Sequence, residues 1–417
     1  MIKKVFCFKR FLFFQVFIIS IVGLYLFLNL YKFEAKFEFR YTEKSLLLAT
    51  QNEEMEHEIE DNVAQQLEEI DLSKLDKIVN DLDDNQKQLI NSYSFSDLVS
   101  QLIYGDGEIF KEKNFFECII SILLSNTKGL LPSFVLIIAI GIIYSLIKNF
   151  SMNKEISSSN VAYTASFCAV ALLVINIIMS LVNKASHTIN LIEGQMEIVY
   201  PIVLSLISAL GGVYTSASFH PILASLCSFI TRLFVTFLIP LFIVIIVFNV
   251  TGHLSSNIKL DKFSKFFSSL FSWIVGIVFT IFVGFLSISG LLTSNFDGIS
   301  IKTAKFAIKS YVPILGSYLS DGLSLILTST LIIKNSIGVA GLVFLFATIL
   351  SPILYLIIAI LLFKLCSALF ESMGDEKLSQ FLYIISKSLT LLIVCILAIS
   401  LMFVISLSIL LVCSNII

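Results

Sequence analysis

The chain has 417 residues, of which 57% are hydrophobic and only 14% charged, and its mean hydropathy is +0.94. Water-soluble domains are about 45–50% apolar and about 25% charged, and a water-soluble fold of this length cannot bury so much apolar surface. The net charge of −2 gives no sign of nucleic-acid binding. The composition therefore predicts an integral membrane protein and excludes a soluble enzyme.

The residue types that bind metals or form catalytic centres are scattered. Seven cysteines lie at irregular spacing, mostly within apolar runs, and none belongs to a CxxC pair. The four histidines form no HExxH motif and no cluster with cysteine. No GxSxG motif, P-loop or paired-carboxylate site appears. We predict no metal, no cofactor and no enzymatic activity.

Residues 1–32 are predicted to be a targeting or anchoring segment. Four basic residues precede the apolar run 11–30, namely Lys3, Lys4, Lys9 and Arg10. A cleavable signal has an apolar stretch of about 7–15 residues and a small-residue cleavage site. The longer run here could instead span the bilayer as an uncleaved anchor. In either case the basic residues stay in the cytoplasm and the following residues emerge outside.

Residues 33–117 are predicted to be an acidic, extracytoplasmic helical region. Residues 34–117 contain 21 Asp and Glu against 8 Lys and Arg. Apolar residues at helical spacing between Leu72 and Leu82 predict one or two short amphipathic helices, with Ser73 and Asp76 as a capping box. The region is either a docking surface for partner proteins or a solvated spacer.

Residues 118–417 are predicted to be a polytopic, all-α membrane domain. The six candidate spans are 131–147, 161–183, 236–251, 269–292, 351–365 and 382–412. Between them lie 199–235 and 311–350, which are interrupted by polar or small residues. Such interruptions indicate two broken or re-entrant hairpins. Their candidate tips are Gly211, Gly212 and Gly322, and further breaks are predicted at Asp321-Gly322 and Lys334-Asn335.

An internal repeat of about 110 residues organises the membrane domain. Similar apolar segments follow Pro132, Pro240 and Pro352, at spacings of 108 and 112 residues. Each proline is predicted to lead a helix, since its missing N–H is tolerated in a first turn. Lysine-bearing links at 148–160, 252–268 and 364–380 are predicted to be cytoplasmic, which makes the repeats parallel. The lysines of 293–312 then lie outside, on a helix at the membrane interface.

Ionisable residues within apolar segments are candidate functional groups because burying a charge in lipid is costly. Asp321 and Lys334 could form a structural pair in a tight hairpin, or they could line a polar path through the membrane. Arg232 could reach the interface or lipid headgroups, or it could contact a substrate. His220 is the fourth candidate pathway residue.

The segment 297–341, which contains GISIKTAKFAIKSYVPILGSYLSDGLSLILTSTLIIKNSIGVAG, resembles the signature region of the stage III sporulation protein AE family. Further similar parts are Phe219-His220-Pro221, the proline-bearing helices and the QLEEIDLSKLDKIV segment, residues 66–79. The resemblance covers roughly residues 60–417. It implies no catalytic residue.

The resemblance implies a multi-pass component of the secretion-like channel complex between mother cell and forespore. Such a protein would lie in the mother-cell membrane that surrounds the forespore and would support late forespore gene expression. Its implied partners are the other stage III operon membrane proteins, the lipid bilayer and, across the intermembrane space, the forespore stage II sporulation protein Q. The alternative is a stand-alone secondary transporter with a substrate path near Asp321 and Lys334.

Overall fold

The computed structural model describes residues 53–70, 72–80, 82–90, 93–104, 112–150, 156–254, 260–311 and 316–413. The predicted signal or anchor, residues 1–32, lies outside these ranges. The regular elements within the described ranges are all helical, with no strand. This confirms the all-α prediction.

The acidic region folds into four short helices rather than the one or two predicted. They are α1 (Glu53–Glu69), α2 (Ser73–Asn80), α3 (Asp84–Leu89) and α4 (Phe95–Tyr104). Of the five apolar residues at helical spacing, Ile78 is half-buried and the other four are buried, namely Leu72, Leu75, Val79 and Leu82. Burial of this stripe explains why such short helices persist, since isolated helices of this length are marginal in water.

A capping box lies at the start of α4. The Ser94 N–H donates to the Asp97 carboxylate, and the Asp97 N–H donates to the Ser94 hydroxyl, each at 3.1 Å. Asp76, predicted to cap α2 with Ser73, accepts the N–H of Phe95 at 2.8 Å. Asp76 therefore ties α2 to the first turn of α4.

Seven longer helices make up the rest of the described chain. They are α5 (Glu112–Phe150), α6 (Ile156–Ala209), α7 (Val213–Leu233), α8 (Ile239–Leu254), α9 (Asp261–Tyr311), α10 (Gly316–Ser372) and α11 (Glu376–Cys413). A π-helical turn, Phe234–Leu238, joins α7 to α8 without a break. Six helical segments in the described ranges are long and apolar enough to cross a membrane, and each overlaps one predicted span.

Pro132 and Pro352 lie inside helices instead of leading them, so the prediction was wrong for these two prolines, whereas Pro240 is the second residue of α8. Pro132 is in the middle of α5 and Pro352 is in the middle of α10. Membrane helices tolerate an internal proline because neighbouring groups satisfy the carbonyl that it leaves free. Pro240 follows the π-helical turn, in which the N–H of Ile239 donates to the carbonyl of Phe234. This wider turn gives the proline ring room.

The region 199–235 contains a helical hairpin with its turn at the glycine pair. Helix α6 ends at Ala209 and α7 begins at Val213. Gly211 adopts a left-handed φ of 84°, and the N–H of Gly212 donates to the carbonyl of Ile207 at 2.8 Å. This is a Schellman-type helix end, for which glycine is the favoured residue.

The region 311–350 does not contain the predicted breaks. Helix α10 runs without interruption from Gly316 to Ser372, through Asp321-Gly322 and Lys334-Asn335. A single glycine costs a helix only about 1 kcal/mol relative to alanine, which packing against neighbours easily exceeds. Gly322 is therefore an exposed position within a helix and is not a hairpin tip. The connection between α9 and α10, residues 312–315, lies outside the described ranges.

The chain divides into two compact units. One combines residues 1–70 with residues 308–332, and its described part includes a hydrogen bond of 3.0 Å from the Thr330 hydroxyl to the Gln66 amide oxygen. The other combines residues 71–307 with residues 333–417 and holds most of the buried apolar core.

Within the second unit, the three proline-bearing helices α5, α8 and α10 run in the same direction. Helix α5 is parallel to α10, because Phe134 packs on Phe363 and the later Gly141 lies against Phe370. Helix α11 is antiparallel to both α10 and α8, as four contacts show: Gly338–Leu411, Gly341–Leu407, Asn249–Ser388 and His253–Phe381.

Candidate functional site

The hairpin of α6 and α7 places the candidate residue Arg232 within electrostatic range of an acidic residue of α6. Arg232 is exposed near the end of α7, and Glu193 of α6 is half-buried within electrostatic range of it. Glu197 lies one helical turn beyond Glu193 and is a second carboxylate, which interacts electrostatically with Glu193. These carboxylates belong to the preceding helix, so the sequence around Arg232 does not reveal them.

A cavity of ≈ 100 Å³ lies between the same two helices. Its polar lining comes from Glu197, Tyr200 and His220, with Cys227 and Ser228 beside them, and the rest of its wall is apolar. His220 and Glu197 are both exposed, so the cavity opens on the outer surface of the helix pair. A carboxylate and an imidazole on an apolar wall can hold a small polar or cationic group. Among the described residues, no cluster of metal-ligating side chains is found.

Tyr200 connects this cavity to α11. Its side chain is 3% exposed, its hydroxyl is hydrogen-bonded to the hydroxyl of Ser406, and its ring meets Phe403 edge-on with centroids 5.5 Å apart. A buried tyrosine normally needs such a partner for its hydroxyl. The cavity wall is therefore anchored on the next helix.

Lys334 lies away from this cavity and is fully buried, at 0% exposure. Its ammonium donates to the backbone carbonyl of Leu411 at 3.2 Å. Leu411 is in the last turn of α11, where carbonyls have no partner within the helix and the helix dipole favours a cation. Lys334 therefore acts as a cap for α11.

The predicted hairpin pairing of Lys334 with Asp321 is wrong. Both residues belong to the uninterrupted helix α10, which cannot fold back to bring them together. The side chain of Asp321 lies outside the described part of the structure. The candidate polar residues thus fall into two places. His220 and Arg232 belong to the α6–α7 hairpin, and Lys334 caps the end of α11.

A buried polar cluster around Asn249 was missed by sequence reasoning. Asn249 is 3% exposed; its amide nitrogen donates to the Ser388 hydroxyl at 3.1 Å, and its amide oxygen accepts from the Ser264 hydroxyl at 2.5 Å. The cluster joins α8, α9 and α11. A lone asparagine inside an apolar run was the available signal, since polar side chains commonly join helices in membranes.

The acidic region packs against α6 and α10. Lys184 of α6 lies 3.4 Å from the Asp83 carboxylate and 4.6 Å from the centre of the Tyr355 ring. Phe95 of α4 meets Phe344 of α10 edge-on, with ring centroids 6.1 Å apart. The described residues between 72 and 104 are therefore packed and do not form a solvated spacer.

The regular elements in the described ranges are all helical, and they contain six helical segments able to cross a membrane that are joined by buried polar contacts. Such an arrangement defines a polytopic membrane protein. The chain belongs to the stage III sporulation protein AE family, whose model matches residues 93–414. It is 24% identical over 318 residues to stage III sporulation protein AE of Bacillus subtilis (strain 168), which covers 76% of this chain and 79% of that relative. No solved structure matches it.

The match confirms the resemblance found in segment 297–341, which lies within the matched residues. Residues 66–79, also used for the resemblance, lie before the match begins. The family is one of sporulation membrane proteins and carries no positive sign of catalysis.

Proposed function

We propose that this protein is a multi-pass component of the channel complex between mother cell and forespore. It acts from the mother-cell membrane around the forespore and is needed for forespore development and late forespore gene expression. Membership of the stage III sporulation protein AE family is the observation that carries this proposal.

The direction of the helices supports a parallel-repeat topology for this component. Because α5, α8 and α10 run the same way, the lysine-bearing links that follow them lie at the same end of the second unit. The positive-inside rule assigns that end to the cytoplasm. The opposite end, with the α6–α7 turn and helices α2–α4, then faces the intermembrane space, after an N-terminal signal or anchor in residues 1–32.

The lengths of α6, α9 and α10 support a protein that projects from the bilayer. They contain 54, 51 and 57 residues, or about 80 Å each, whereas about 20 helical residues span the hydrocarbon core. The second half of α6 exposes polar side chains along one face, namely Asn183, His187, Asn190 and Glu197. A polar face of this kind is compatible with the second half of α6 being in contact with water on the outer side of the membrane.

The acidic region suits contact with partner proteins across that space. Helix α1 contains no lysine or arginine. Among its side chains from residue 58 onward, which the structure describes, five carboxylates are exposed, namely those of Glu58, Glu60, Asp61, Glu68 and Glu69. We propose that this region faces the other stage III operon membrane proteins and, indirectly, the forespore stage II sporulation protein Q.

The transporter alternative gains no comparable support. The transporter hypothesis places a substrate path near Asp321 and Lys334. However, Lys334 is fully buried, and its ammonium donates a hydrogen bond to the carbonyl of Leu411. We therefore propose no second function.

The test is deletion of the gene in the endospore former that carries it, followed by complementation from mother-cell-specific or forespore-specific promoters. We expect the deletion strain to complete engulfment and to lose a late forespore reporter, while an early forespore reporter stays normal as the matched control. Mother-cell expression should restore the late reporter. A normal late reporter without the gene would overturn the function, and restoration by forespore expression alone would overturn the location.

A further inference from the structure

The side-chain amide of Gln86 joins helix α3 to helix α10. Gln86 is 2% exposed, and its amide oxygen accepts the N–H of Asp83 at 2.8 Å, which caps the start of α3. Its amide nitrogen donates to the backbone carbonyl of Thr348 at 2.7 Å. Because one partner is a donor and the other an acceptor, the orientation of this amide is determined.

The carbonyl of Thr348 needs a donor because of the proline four residues later. In an α-helix this carbonyl would accept the N–H of residue 352, but Pro352 has no N–H. A buried carbonyl without a partner is costly. Gln86 fills the hydrogen-bond gap that Pro352 opens in α10.

Helix α6 contacts the same residue from another side. The Thr348 hydroxyl donates to the carbonyl of Phe344 at 2.9 Å and accepts from the Gln195 amide nitrogen at 2.6 Å. One turn earlier on α10, Phe344 packs against Phe95 of α4. The acidic region, α6 and α10 thus meet at Thr348, whose carbonyl Pro352 leaves without a helical donor.

We propose that Gln86 is a latch, by which we mean a side chain whose hydrogen bond to the Thr348 carbonyl forms only while residues 82–104 are packed against α10. The packing of residues 82–104 is thereby coupled to the stability of α10 at the point where Pro352 leaves that carbonyl without a helical donor. While α3 is docked, the gap is satisfied; when α3 leaves, a buried carbonyl in the middle of α10 loses its donor. Any event that pulls on the acidic region is therefore transmitted to a helix long enough to cross the membrane. This coupling goes beyond the proposed place of the protein in a complex and does not depend on it.

The test is amide hydrogen exchange on the purified full-length protein in nanodiscs of phosphatidylethanolamine and phosphatidylglycerol. Gln86→Glu keeps the acceptor for the Asp83 N–H but replaces the donor to Thr348. We expect exchange to rise about tenfold in residues 82–104, and to rise also in α10 around residues 341–351. Gln101→Glu is the matched control, since its amide nitrogen donates to the Tyr93 hydroxyl at 2.9 Å.

A double-mutant cycle separates the latch from general loss of packing. Pro352→Ala supplies the missing N–H, so Gln86→Leu should raise exchange less in that background than in the wild-type protein. Equal effects of Gln86→Leu in both backgrounds would overturn the proposal. So would exchange changes that stay within residues 82–104, or that Gln101→Glu reproduces.

Discussion

The ammonium of Lys334 and the carbonyl of Leu411 form a buried hydrogen bond, 3.2 Å long, between the middle of α10 and the last turn of α11. Gly338, one turn along α10, lets the two helices approach here, because a Cβ at that position would lie 2.6 Å from a methyl carbon of Leu411. The close approach of the two helices at Gly338 and the hydrogen bond from Lys334 together fix the end of α11 against α10. An intramembrane lysine can thus have a structural role.

Replacing Lys334 with methionine should destabilise the protein while preserving its fold. Methionine keeps most of the apolar stem but leaves the carbonyl of Leu411 without this donor, at a cost of about 1–3 kcal/mol. The measurement is thermal unfolding in detergent, with Lys262→Met at an exposed lysine as the matched control. A variant of unchanged stability that fails to complement a deletion strain would instead favour a pathway role for Lys334.

Hydropathy predicted the six membrane helices because long apolar runs dominate the free energy of insertion into lipid. The same reasoning misjudged the interruptions. Breaks at Asp321-Gly322 and Lys334-Asn335 rested on local propensities of about 1 kcal/mol, and such terms do not decide the path of a helix that packs over its length. Pro132 and Pro352 were likewise interpreted by a rule for helix starts in water, although internal prolines are tolerated in membranes.

Contacts between residues that are distant in the sequence could not be predicted from local sequence patterns. Glu193 comes within electrostatic range of Arg232 only because α6 ends at Ala209 and the chain reverses direction at Gly211. Gln86 finds the carbonyl of Thr348 across 262 residues. The proline itself was the one available signal, since an internal proline implies that a donor elsewhere must satisfy a free carbonyl.

Replacing Gly141 with alanine should disrupt the packing of α5 on α10. An added Cβ would overlap the ring of Phe370, which is 1% exposed and cannot move aside freely. We expect a loss of about 1–3 kcal/mol, measured by thermal unfolding. Gly276→Ala is the matched control: no atom lies within 4 Å of its added Cβ, so it should be neutral or stabilising by up to about 1 kcal/mol.

A compensating change tests whether that packing is the cause. Phe370→Leu creates space beside residue 141, so the pair Gly141→Ala and Phe370→Leu should be more stable than the two single effects added together. Strict additivity would show that the glycine is needed for another reason.

Replacing Asn249 with alanine should loosen the contact among α8, α9 and α11. It removes the donor to Ser388 and the acceptor for Ser264, and it leaves a cavity. Interhelical hydrogen bonds in membranes contribute about 0.6–2 kcal/mol each, so we expect a loss of about 2–4 kcal/mol once the cavity is included. The check is thermal unfolding beside Asn190→Ala, an exposed asparagine whose replacement should change little.

The parallel topology predicts which side of the membrane each connection faces. Single cysteines at the exposed residues Lys262 and Lys377 should react with a thiol reagent only from the cytoplasm, and cysteines at Asn190 and Tyr214 only from outside. Exposed positions are needed because Ser264 and Ser379, which lie in the same links, are buried and would be protected on either side. The parent is the cysteine-free chain, which must first complement the deletion.

Two outcomes of this labelling carry different consequences. If positions 262 and 377 share one side and 190 and 214 share the other, the helix directions seen in the second unit also hold in the membrane, and helices α2–α4 face the intermembrane space. If 262 and 377 react from opposite sides, the repeats are inverted relative to the bilayer. Inverted repeats are the arrangement of many secondary transporters, and a transport function would then be favoured over a channel component.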